Sequence, residues 1–201
     1  IATPMVTSFR NFGLLDASVL PDQKLVVFNR SDMTFFGILE SRFHFVWTKG
    51  TCAWIGAGND ITYSKEVVFS TFPFPEGLTP NLDPTDYEND PRASDIALKA
   101  ARLNELRQNW LYPAGLTKSE PEVVSGFPER VMPIDDKALE VLKKRTLTDL
   151  YTERPAWLEH AHRELDLAVA TAYGWSADLS DDDILAQLFE LNQKRAKAEA
   201  N

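Results

Sequence analysis

Residues 35–47 read Phe-Phe-Gly-Ile-Leu-Glu-Ser-Arg-Phe-His-Phe-Val-Trp, and residues 48–64 continue with Thr-Lys-Gly-Thr-Cys-Ala-Trp-Ile-Gly-Ala-Gly-Asn-Asp-Ile-Thr-Tyr-Ser. In the first stretch the apolar side chains recur at steps of three and four residues, which predicts one face of a helix. The second stretch has 17 residues, three of them glycine, and no periodicity. Long loops inside a domain are usually functional or disordered, and apolar residues would anchor this one. We therefore expect an ordered functional loop at residues 48–64, with a packed surface loop as the alternative.

Short stretches with strand character lie on both sides of this helix and loop. The chain opens with an apolar and β-branched run that contains an early proline, which is typical of an edge strand. Residues 24–28 form an apolar run directly after a turn signal at Leu20-Pro21-Asp22. The sequence predicts strands at residues 1–7, 9–15, 24–28 and 66–74.

The second half of the chain is predicted to be helical. Residues 76–91 are polar and contain prolines, and they resemble a linker that ends in an N-cap and first-turn proline at Asp90-Pro91. After an irregular stretch at 113–133, the capping and spacing rules favour three further helices. The four predicted helices run from residue 91 to about 112, from Asp135, from Pro155 to Gly174, and from Ser180 onward.

These elements predict an α+β fold, in which a small mixed β/α part is followed by an all-helical C-terminal subdomain. We divide the chain into residues 1–80, which contain the long loop, a linker at residues 81–91, and a helical subdomain at residues 92–201. The first residue is Ile1 and not Met, so we expect a piece cut from a longer protein.

Charge is distributed unevenly along the 201 residues. Residues 1–75 hold six basic and six acidic residues, whereas residues 76–201 hold 15 basic and 24 acidic residues and therefore the whole net charge of −9. An acidic surface repels polyanions, so any nucleic-acid contact should come from the N-terminal part. No apolar run is long enough to span a membrane. With one cysteine and no signal segment, we expect a cytoplasmic protein without disulfides.

Few residues form a pattern that carries catalytic chemistry. Gly56-Ala57-Gly58 lacks the third glycine and the flanking strand and helix of a dinucleotide-binding motif. Glu159, His162 and Asp166 share one helix face and could ligate a metal, but a hydrogen-bond or ion-pair network is the favoured interpretation. His44, between two phenylalanines, is interpreted as a buried histidine whose hydrogen bonds are satisfied within the protein.

Several ordered motifs together resemble one family of enzymes. In the first half they are Phe36-Gly37-Ile38-Leu39-Glu40-Ser41-Arg42-Phe43-His44, Gly58-Asn59-Asp60, Tyr63-Ser64 and Phe69-x-Thr71-Phe72-Pro73-Phe74-Pro75. In the second half they include Thr146-Leu147-Thr148-x-Leu150-Tyr151, Arg154-Pro155-x-Trp157-Leu158 and Ala172-Tyr173-Gly174-Trp175. The set resembles the MmeI-like group of large single-chain DNA adenine-N6 methyltransferases of type IIG/IIL restriction–modification systems, and it covers nearly the whole chain.

The resemblance implies a division of labour within a longer parent enzyme. This stretch would follow the methyltransferase core and hold much of the target-recognition domain and the C-terminal helical region. The chain contains no Asn/Asp-Pro-Pro-Tyr/Phe motif, no S-adenosylmethionine glycine motif and no PD-(D/E)xK nuclease motif. We expect it to bind no cofactor and to be inactive alone. S-adenosylmethionine would bind in the missing core, and the partners would be double-stranded DNA and that core, with no membrane.

The loop at residues 48–64 offers the side chains that DNA recognition requires. Lys, Asn and Asp read guanine, adenine and cytosine edges, and hydroxyls and amines hold phosphates. Asn59 and Asp60 could instead cap a turn. The candidate DNA-binding residues are Arg10, Lys49, Thr51, Trp54, Asn59, Asp60, Thr62, Tyr63, Ser64 and Lys65.

Two other function classes stay open at this stage. In the first, the helical half docks a partner protein and the loop is structural. In the second, weaker hypothesis, Glu159, His162 and Asp166 form the metal site of an enzyme.

Overall fold

The computed structural model describes residues 1–55 and 60–199, and it has the predicted α+β architecture. A π-helical turn at Lys65–Phe69 and a short 3-10 helix at Pro84–Tyr87 connect the larger elements. In chain order these larger elements are β1 (Ala2–Pro4), β2 (Val6–Thr7), β3 (Leu25–Val27), α1 (Met33–Glu40), α2 (Arg42–Thr51), β4 (Trp54–Ile55), β5 (Asp60–Thr62), α3 (Pro91–Leu111), β6 (Thr117–Glu120), β7 (Arg130–Pro133), α4 (Asp136–Leu142), α5 (Leu147–Glu153), α6 (Ala156–Tyr173) and α7 (Asp181–Glu199).

The strands of the described residues form three small antiparallel sheets. β1 pairs with β3, which confirms the strand at the start of the chain and the strand predicted at residues 24–28. In the second sheet β5 lies between β2 and β4, and we call it the three-stranded sheet. β6 and β7 form a separate hairpin.

The helical pattern at residues 35–47 forms two helices, where the sequence predicted one face of a single helix. Ser41 has an extended backbone between α1 and α2 (φ −72°, ψ 156°). Its hydroxyl accepts a hydrogen bond from the backbone N–H of His44 and donates one to the carbonyl oxygen of Ile38 at 2.7 Å. Serine caps helices in this way because its short side chain competes with the helical hydrogen bonds of its neighbours. The apolar residues keep their spacing of three and four across Ser41, so the periodicity alone does not show where α1 ends and α2 begins.

Two predicted strands are wrong. Residues 9–15 form no strand, since the backbone of Phe12 bonds to side chains: its N–H donates to Glu40 Oε1 at 2.8 Å and its carbonyl accepts from Arg107 at 2.9 Å. Residues 66–74 contain part of the π-helical turn, which Ser64 caps, followed by an irregular run of phenylalanines and prolines. Residues 9–15 make one isolated antiparallel bridge, between Gly13 and Ala2, and extend it into no strand.

The C-terminal half contains the predicted helices and two unpredicted elements. Asp90 caps α3, Asp135 caps α4, and Gly174 ends α6 in the left-handed conformation (φ 72°) as expected. The region is not all helical, because the stretch predicted to be irregular contains the β6–β7 hairpin, and α5 was not predicted at all. None of the described helices combines the length and apolar character required to cross a membrane.

A single hydrophobic core joins the two halves of the chain. α1 lies directly against α3 and also contacts α2 and α6. Gly37 permits this approach, because a Cβ atom there would lie 2.7 Å from Ile96 Cγ2 and 2.9 Å from Ala100 Cβ. The predicted domain limits at residues 80 and 92 stay a prediction. Helices from residues 1–80 and from residues 92–201 pack against each other in the common core.

Candidate nucleic-acid interface

The predicted 48–64 loop is built mainly as a short β-hairpin on the edge of the three-stranded sheet. Residues 48–51 complete α2, after which β4 and β5 pair antiparallel with Trp54 opposite Ile61 and Ile55 opposite Asp60. β5 also pairs with β2, so that Val6 lies opposite Thr62. Residues 56–59, which connect the two hairpin strands, lie outside the described part of the chain, and the predicted base contact of Asn59 lies there with them.

The inner side of the hairpin is anchored by buried polar groups. Ile61 and Tyr63 are buried, and the Tyr63 hydroxyl lies 3.0 Å from His44 Nε2. His44 Nδ1 lies 2.9 Å from the carbonyl oxygen of Leu39. Burial lowers the pKa of His44 to about 3, so the imidazole is neutral at physiological pH, as a satisfied internal histidine should be. The prediction of a structural role for His44 is confirmed.

Apolar side chains are exposed on both faces of the hairpin. Trp54 is 44% exposed and Ile55 is 43% exposed. Met5, just before β2, and Val6 in β2 lie across the central strand β5 and are similarly exposed. Consecutive strand residues point to opposite faces, so the exposure of both Trp54 and Ile55 indicates that β4 stands clear of the protein body. We call Met5, Val6, Trp54 and Ile55 the apolar patch. Among them, the sequence predicted a DNA contact only for Trp54.

Two lysines flank the β4–β5 hairpin along the chain. Lys49 and Lys65 are exposed, and neither forms an ion pair with any residue that the structure describes. The Lys49 ammonium lies 5.5 Å from the ring centre of Phe45. Asp60 is partly buried and accepts a hydrogen bond from the Ser8 hydroxyl at 2.7 Å. The hairpin thus carries one oriented carboxylate and exposed apolar side chains, and a lysine without an ion pair in the described structure precedes and follows it.

The predicted phosphate-binding hydroxyls already have protein partners. Thr51 donates to the carbonyl oxygen of Trp47 at 2.8 Å, and Thr62 donates to that of Ala53 at 2.6 Å. Ser64 accepts from the backbone N–H of Val67 at 3.1 Å and caps the π-helical turn. Each hydroxyl has one hydrogen to donate, so a phosphate contact from Thr51 or Thr62 requires the hydroxyl to rotate away from its present acceptor.

Arg10 and Tyr63 lie beneath the hairpin and not on its surface. The Arg10 guanidinium donates to the Thr3 hydroxyl and to the carbonyl oxygens of Pro4 and Ile61, and it stacks 4.9 Å from the ring centre of Tyr63. In this conformation both side chains brace the hairpin from within. DNA contact by the described candidate residues, including these two, stays a prediction.

Glu159, His162 and Asp166 face one cavity, but each has its own partner. Arg154 Nε lies 2.8 Å from Glu159, His162 Nε2 lies 2.7 Å from the Tyr151 hydroxyl, and Asp166 accepts the backbone N–H of Arg42 at 2.7 Å. These separate contacts are the predicted network. Over residues 1–55 and 60–199, no cluster of three His, Cys, Asp or Glu residues is arranged to hold a metal ion.

Comparison with known proteins confirms the family resemblance. Residues 3–76 match the family model described as the target recognition domain of MmeI, and this range contains the entire three-stranded sheet. Among solved structures, the chain is similar to the type IIL restriction–modification enzyme MmeI in complex with DNA, with a TM-score of 0.65 and 21% sequence identity. The match covers 98% of this chain but only 21% of that protein, so the chain spans about a fifth of its length. Among the curated proteins, none matches the chain.

Proposed function

We propose that this chain is the DNA target-recognition part of a longer restriction–modification enzyme, and that the β4–β5 hairpin and the apolar patch face the DNA. The observation that carries the proposal is the match of residues 3–76 to the MmeI target recognition domain. Inside that range, the hairpin exposes Trp54 and Ile55, and an exposed lysine precedes and follows it in the chain.

The chemistry of the hairpin suits the major groove of DNA. Apolar side chains such as Trp54 and Ile55 can contact thymine methyl groups, Lys49 can donate to guanine, and Asp60 can accept from the cytosine amino group. Each good base contact is worth about 1–3 kcal/mol of discrimination. Asp60 is held by Ser8, so its carboxylate is oriented before DNA arrives.

The charge distribution sets the orientation of the chain on DNA. The excess of nine negative charges lies in residues 76–201, and this half would face away from the phosphates. Few basic side chains are then available for phosphate contact. We therefore expect weak binding by the isolated chain, with a strong dependence on salt.

Fluorescence anisotropy with a fluorescent duplex tests the proposal directly. Lys65→Ala should weaken binding and reduce the slope of log affinity against log salt by about 1, because it removes one phosphate contact. Lys49→Ala should weaken binding by about 1–3 kcal/mol, because it removes one guanine contact. Lys137→Ala is the matched control, since Lys137 is exposed on α4, outside the matched range. Equal effects of all three substitutions would contradict a specific role of the hairpin.

Selection of bound sequences from a random duplex pool tests the recognition step. Enrichment of a short motif by the wild-type chain, and its alteration in Asp60→Asn or Trp54→Ala, is the expected outcome. Binding without enrichment, in this chain and in the longer protein that contains it, would contradict target recognition.

The parent enzyme is proposed to be an S-adenosylmethionine-dependent DNA adenine-N6 methyltransferase. The support is the motif resemblance over nearly the whole chain, together with the fold similarity to MmeI. The parent's separate core would bind the cofactor, flip the target adenine and methylate it. A longer protein that contains this sequence should transfer a labelled methyl group to duplexes bearing the selected motif, and this chain alone should not.

A second candidate function is protein docking by the C-terminal half. The observation that favours it is the β6–β7 hairpin, whose connecting segment exposes Val123, Val124 and Phe127, with Val123 87% exposed. Exposed apolar clusters commonly mark protein contacts. If docking were the function, Lys49→Ala and Asp60→Asn would leave DNA affinity and site choice unchanged.

A further inference from the structure

The side chain of Arg10 is bonded to two separate strands beneath the candidate interface. Its Nη1 donates to the Thr3 hydroxyl at 2.9 Å and to the carbonyl oxygen of Pro4, both in β1. Its Nη2 donates to the carbonyl oxygen of Ile61 at 2.9 Å. Ile61 lies in β5, which pairs with both β2 and β4. Arg10 therefore holds the central strand of the three-stranded sheet against β1.

Tyr63 extends this set of contacts from Arg10 to the helices. The Arg10 guanidinium lies 4.9 Å from the centre of the Tyr63 ring, and the Tyr63 hydroxyl lies 3.0 Å from His44 Nε2. His44 Nδ1 lies 2.9 Å from the carbonyl oxygen of Leu39, near the end of α1. Because a carbonyl oxygen only accepts, the ring hydrogen belongs on Nδ1, and Nε2 accepts from Tyr63. Stacking and hydrogen bonds thus connect β1, β5, α2 and α1.

Arg10 is a buried cation without a counter-anion. The residue is 7% exposed, and its three acceptors are neutral oxygen atoms. No carboxylate of the described residues forms an ion pair with it, and its buried Nε–H has no hydrogen-bond partner among them. Burial lowers the pKa of Arg10 to about 10, so the guanidinium stays charged at neutral pH. A buried unpaired charge lowers stability, and some proteins retain such groups because they specify one arrangement of the chain.

The shape of the guanidinium accounts for an arginine at this position. The group is planar and rigid, so its N–H groups point in fixed directions. Nη1 bonds oxygen atoms of β1 and Nη2 bonds an oxygen atom of β5, which fixes the separation of the two strands. A lysine ammonium is a single point of charge on a flexible stem and does not fix two directions at once. An apolar side chain would offer no donor to Pro4 or Ile61.

The strand that Arg10 holds carries a group proposed to contact DNA. Asp60 directly precedes Ile61 in β5, and its carboxylate accepts a hydrogen bond from the Ser8 hydroxyl at 2.7 Å. Trp54 lies opposite Ile61 on β4. Recognition requires side chains to be held within about 0.5 Å of the productive geometry. A shift of β5 would therefore displace Asp60 and Trp54 together.

We infer that Arg10 is a positioning residue for DNA target selection. Together with Tyr63, it fixes β5 so that Asp60 and Trp54 meet the base edges, and it acts through the strand and not through a DNA contact of its own. The inference rests on the proposed function of the hairpin. Loss of the guanidinium fork should reduce the discrimination between target and non-target duplexes, because base contacts depend on geometry.

Amide hydrogen exchange measures the effect on the strand without DNA. The backbone N–H of Thr62 donates to Ala53 at 3.1 Å, and that of Tyr63 donates to Met5 at 2.7 Å. In Arg10→Lys both should exchange roughly two- to tenfold faster, as expected for the loss of about one net hydrogen bond that holds β5. The increase should exceed any change in the amides of α6. Unchanged exchange of both amides would overturn the inference.

Arg30→Lys is the matched control for Arg10→Lys. Arg30 donates to the carbonyl oxygens of Pro80 at 3.0 Å and Leu82 at 2.9 Å, and its guanidinium lies 4.8 Å from the centre of the Phe35 ring. It is thus also an arginine that bonds two backbone carbonyls and stacks on a ring, but it lies outside the three-stranded sheet. This control should leave exchange in β5 unchanged.

Fluorescence anisotropy with the longer protein that contains this sequence tests target selection. One duplex carries the motif that the wild type enriches, and the second differs from it by one base pair of the motif. Arg10→Lys should lower the ratio of the two affinities by roughly 5- to 100-fold, as expected for the loss of one good base contact. Arg30→Lys should keep the ratio. A loss of folded protein lowers both affinities alike and leaves the ratio unchanged, so a merely structural role would not move this readout.

The possible outcomes separate this inference from the proposed function. A wild-type protein that enriches no motif would overturn both. A wild-type preference that Arg10→Lys retains, or that Arg30→Lys loses equally, would overturn the inference alone. Should Arg10→Lys not fold, Tyr63→Phe provides the same test, because it removes the hydrogen bond to His44 and keeps the ring on Arg10. Its ratio should fall by a smaller factor, and an unchanged ratio would overturn the inference.

Discussion

Individual buried charges tie the N-terminal segment to the helices. Arg107 Nη1 lies 2.6 Å from Glu40 Oε1, and both side chains are almost completely buried. The same two side chains bond the backbone of Phe12, and Arg107 also donates to the Tyr151 hydroxyl at 3.3 Å. Although burial opposes the charge, the Glu40 carboxylate helps to raise the pKa of Arg107 above its ordinary value. This pair therefore holds residues from four separate parts of the chain.

Removing one partner of this pair should be costly. Glu40→Gln leaves the Arg107 cation buried without a counter-charge, and we expect the free energy of unfolding to fall by about 3–5 kcal/mol. Glu105→Gln is the control, because its ion pair with Arg102 is exposed and should contribute less than about 1 kcal/mol. Urea unfolding of both variants measures the difference. A similar loss in both would show that burial of the Glu40 pair has no special effect.

The elevated pKa of Asp166 predicts a pH dependence of stability. Its pKa is about 6 in the folded chain and 3.8 in the reference state, so the folded state holds the proton more tightly. Proton binding by Asp166 therefore stabilises the folded chain fully below about pH 4, and this contribution is lost as the pH rises through about 6. Between about pH 4 and pH 7, Asp166→Asn should therefore gain about 2–3 kcal/mol of unfolding free energy relative to wild type.

Urea unfolding at a series of pH values checks this prediction. Asp182→Asn is the control, since Asp182 is exposed in the first turn of α7. The stability difference between this control and wild type should stay nearly flat with pH. A flat difference for Asp166→Asn as well would mean that Asp166 is not buried as described.

At the scale of elements, close helix packing depends on two glycines with different surroundings. A Cβ atom on Gly37 in α1 would meet Ile96 Cγ2 at 2.7 Å and Ala100 Cβ at 2.9 Å, and both atoms are held close to the backbone of α3. A Cβ atom on Gly50 in α2 would meet Leu185 Cδ1 at 2.6 Å, which is the far end of a flexible side chain. The first contact is rigid and the second can move aside.

Alanine substitutions at these two glycines should have opposite outcomes. Gly37→Ala forces α1 away from α3 and should cost about 1–3 kcal/mol from overpacking. Gly50→Ala should be neutral or stabilising by up to about 1 kcal/mol, because alanine favours the helix and Leu185 can change rotamer. Thermal or urea unfolding distinguishes the two. Equal destabilisation would indicate that Leu185 is as rigidly held as Ile96.

At the scale of the whole molecule, the C-terminal helices complete the core of the N-terminal part. α3 covers α1, and α7 packs on α2. Asn192 donates to the carbonyl oxygen of Thr71 at 2.6 Å, and Arg195 donates to that of Phe74 at 2.7 Å. The irregular segment after the π-helical turn therefore obtains backbone partners from α7. The segment from Thr71 to Phe74 is therefore held by a helix more than a hundred residues away in the sequence.

Truncation tests this dependence. A chain of residues 1–91 should not fold alone, because removal of α3, α6 and α7 exposes the apolar faces of α1 and α2 to water. The amide spectrum of this truncated chain should show little dispersion. Deletion of residues 119–130 is the control, since this part of the β6–β7 hairpin has no buried residue and its loss should leave the fold intact. A well-dispersed spectrum for residues 1–91 would contradict the shared core.

Helix beginnings and ends could be predicted from local sequence alone. Asp90-Pro91 and Asp135 start helices and Gly174 ends one through contacts with their nearest neighbours in the chain. A few consecutive residues are therefore enough to predict these helix ends. The fold class and the family resemblance were predicted for the same reason, since periodicity and ordered motifs are properties of the sequence. The absence of periodicity also marked residues 48–64 as the candidate interface, and DNA contact there stays a prediction.

Only the tertiary structure decided which of the candidate residues are exposed. The sequence predicts DNA contacts for Arg10 and Tyr63, but both side chains are buried. Arg10 donates to the carbonyl oxygen of Ile61 in β5, and the Tyr63 hydroxyl contacts the ring of His44 in α2. Residues 9–15 form no strand for a related reason, as Glu40 and Arg107 satisfy the backbone of Phe12 from α1 and α3. Local patterns determine where helices start and stop, whereas burial and hydrogen-bond partners depend on contacts between distant residues, which no local pattern contains.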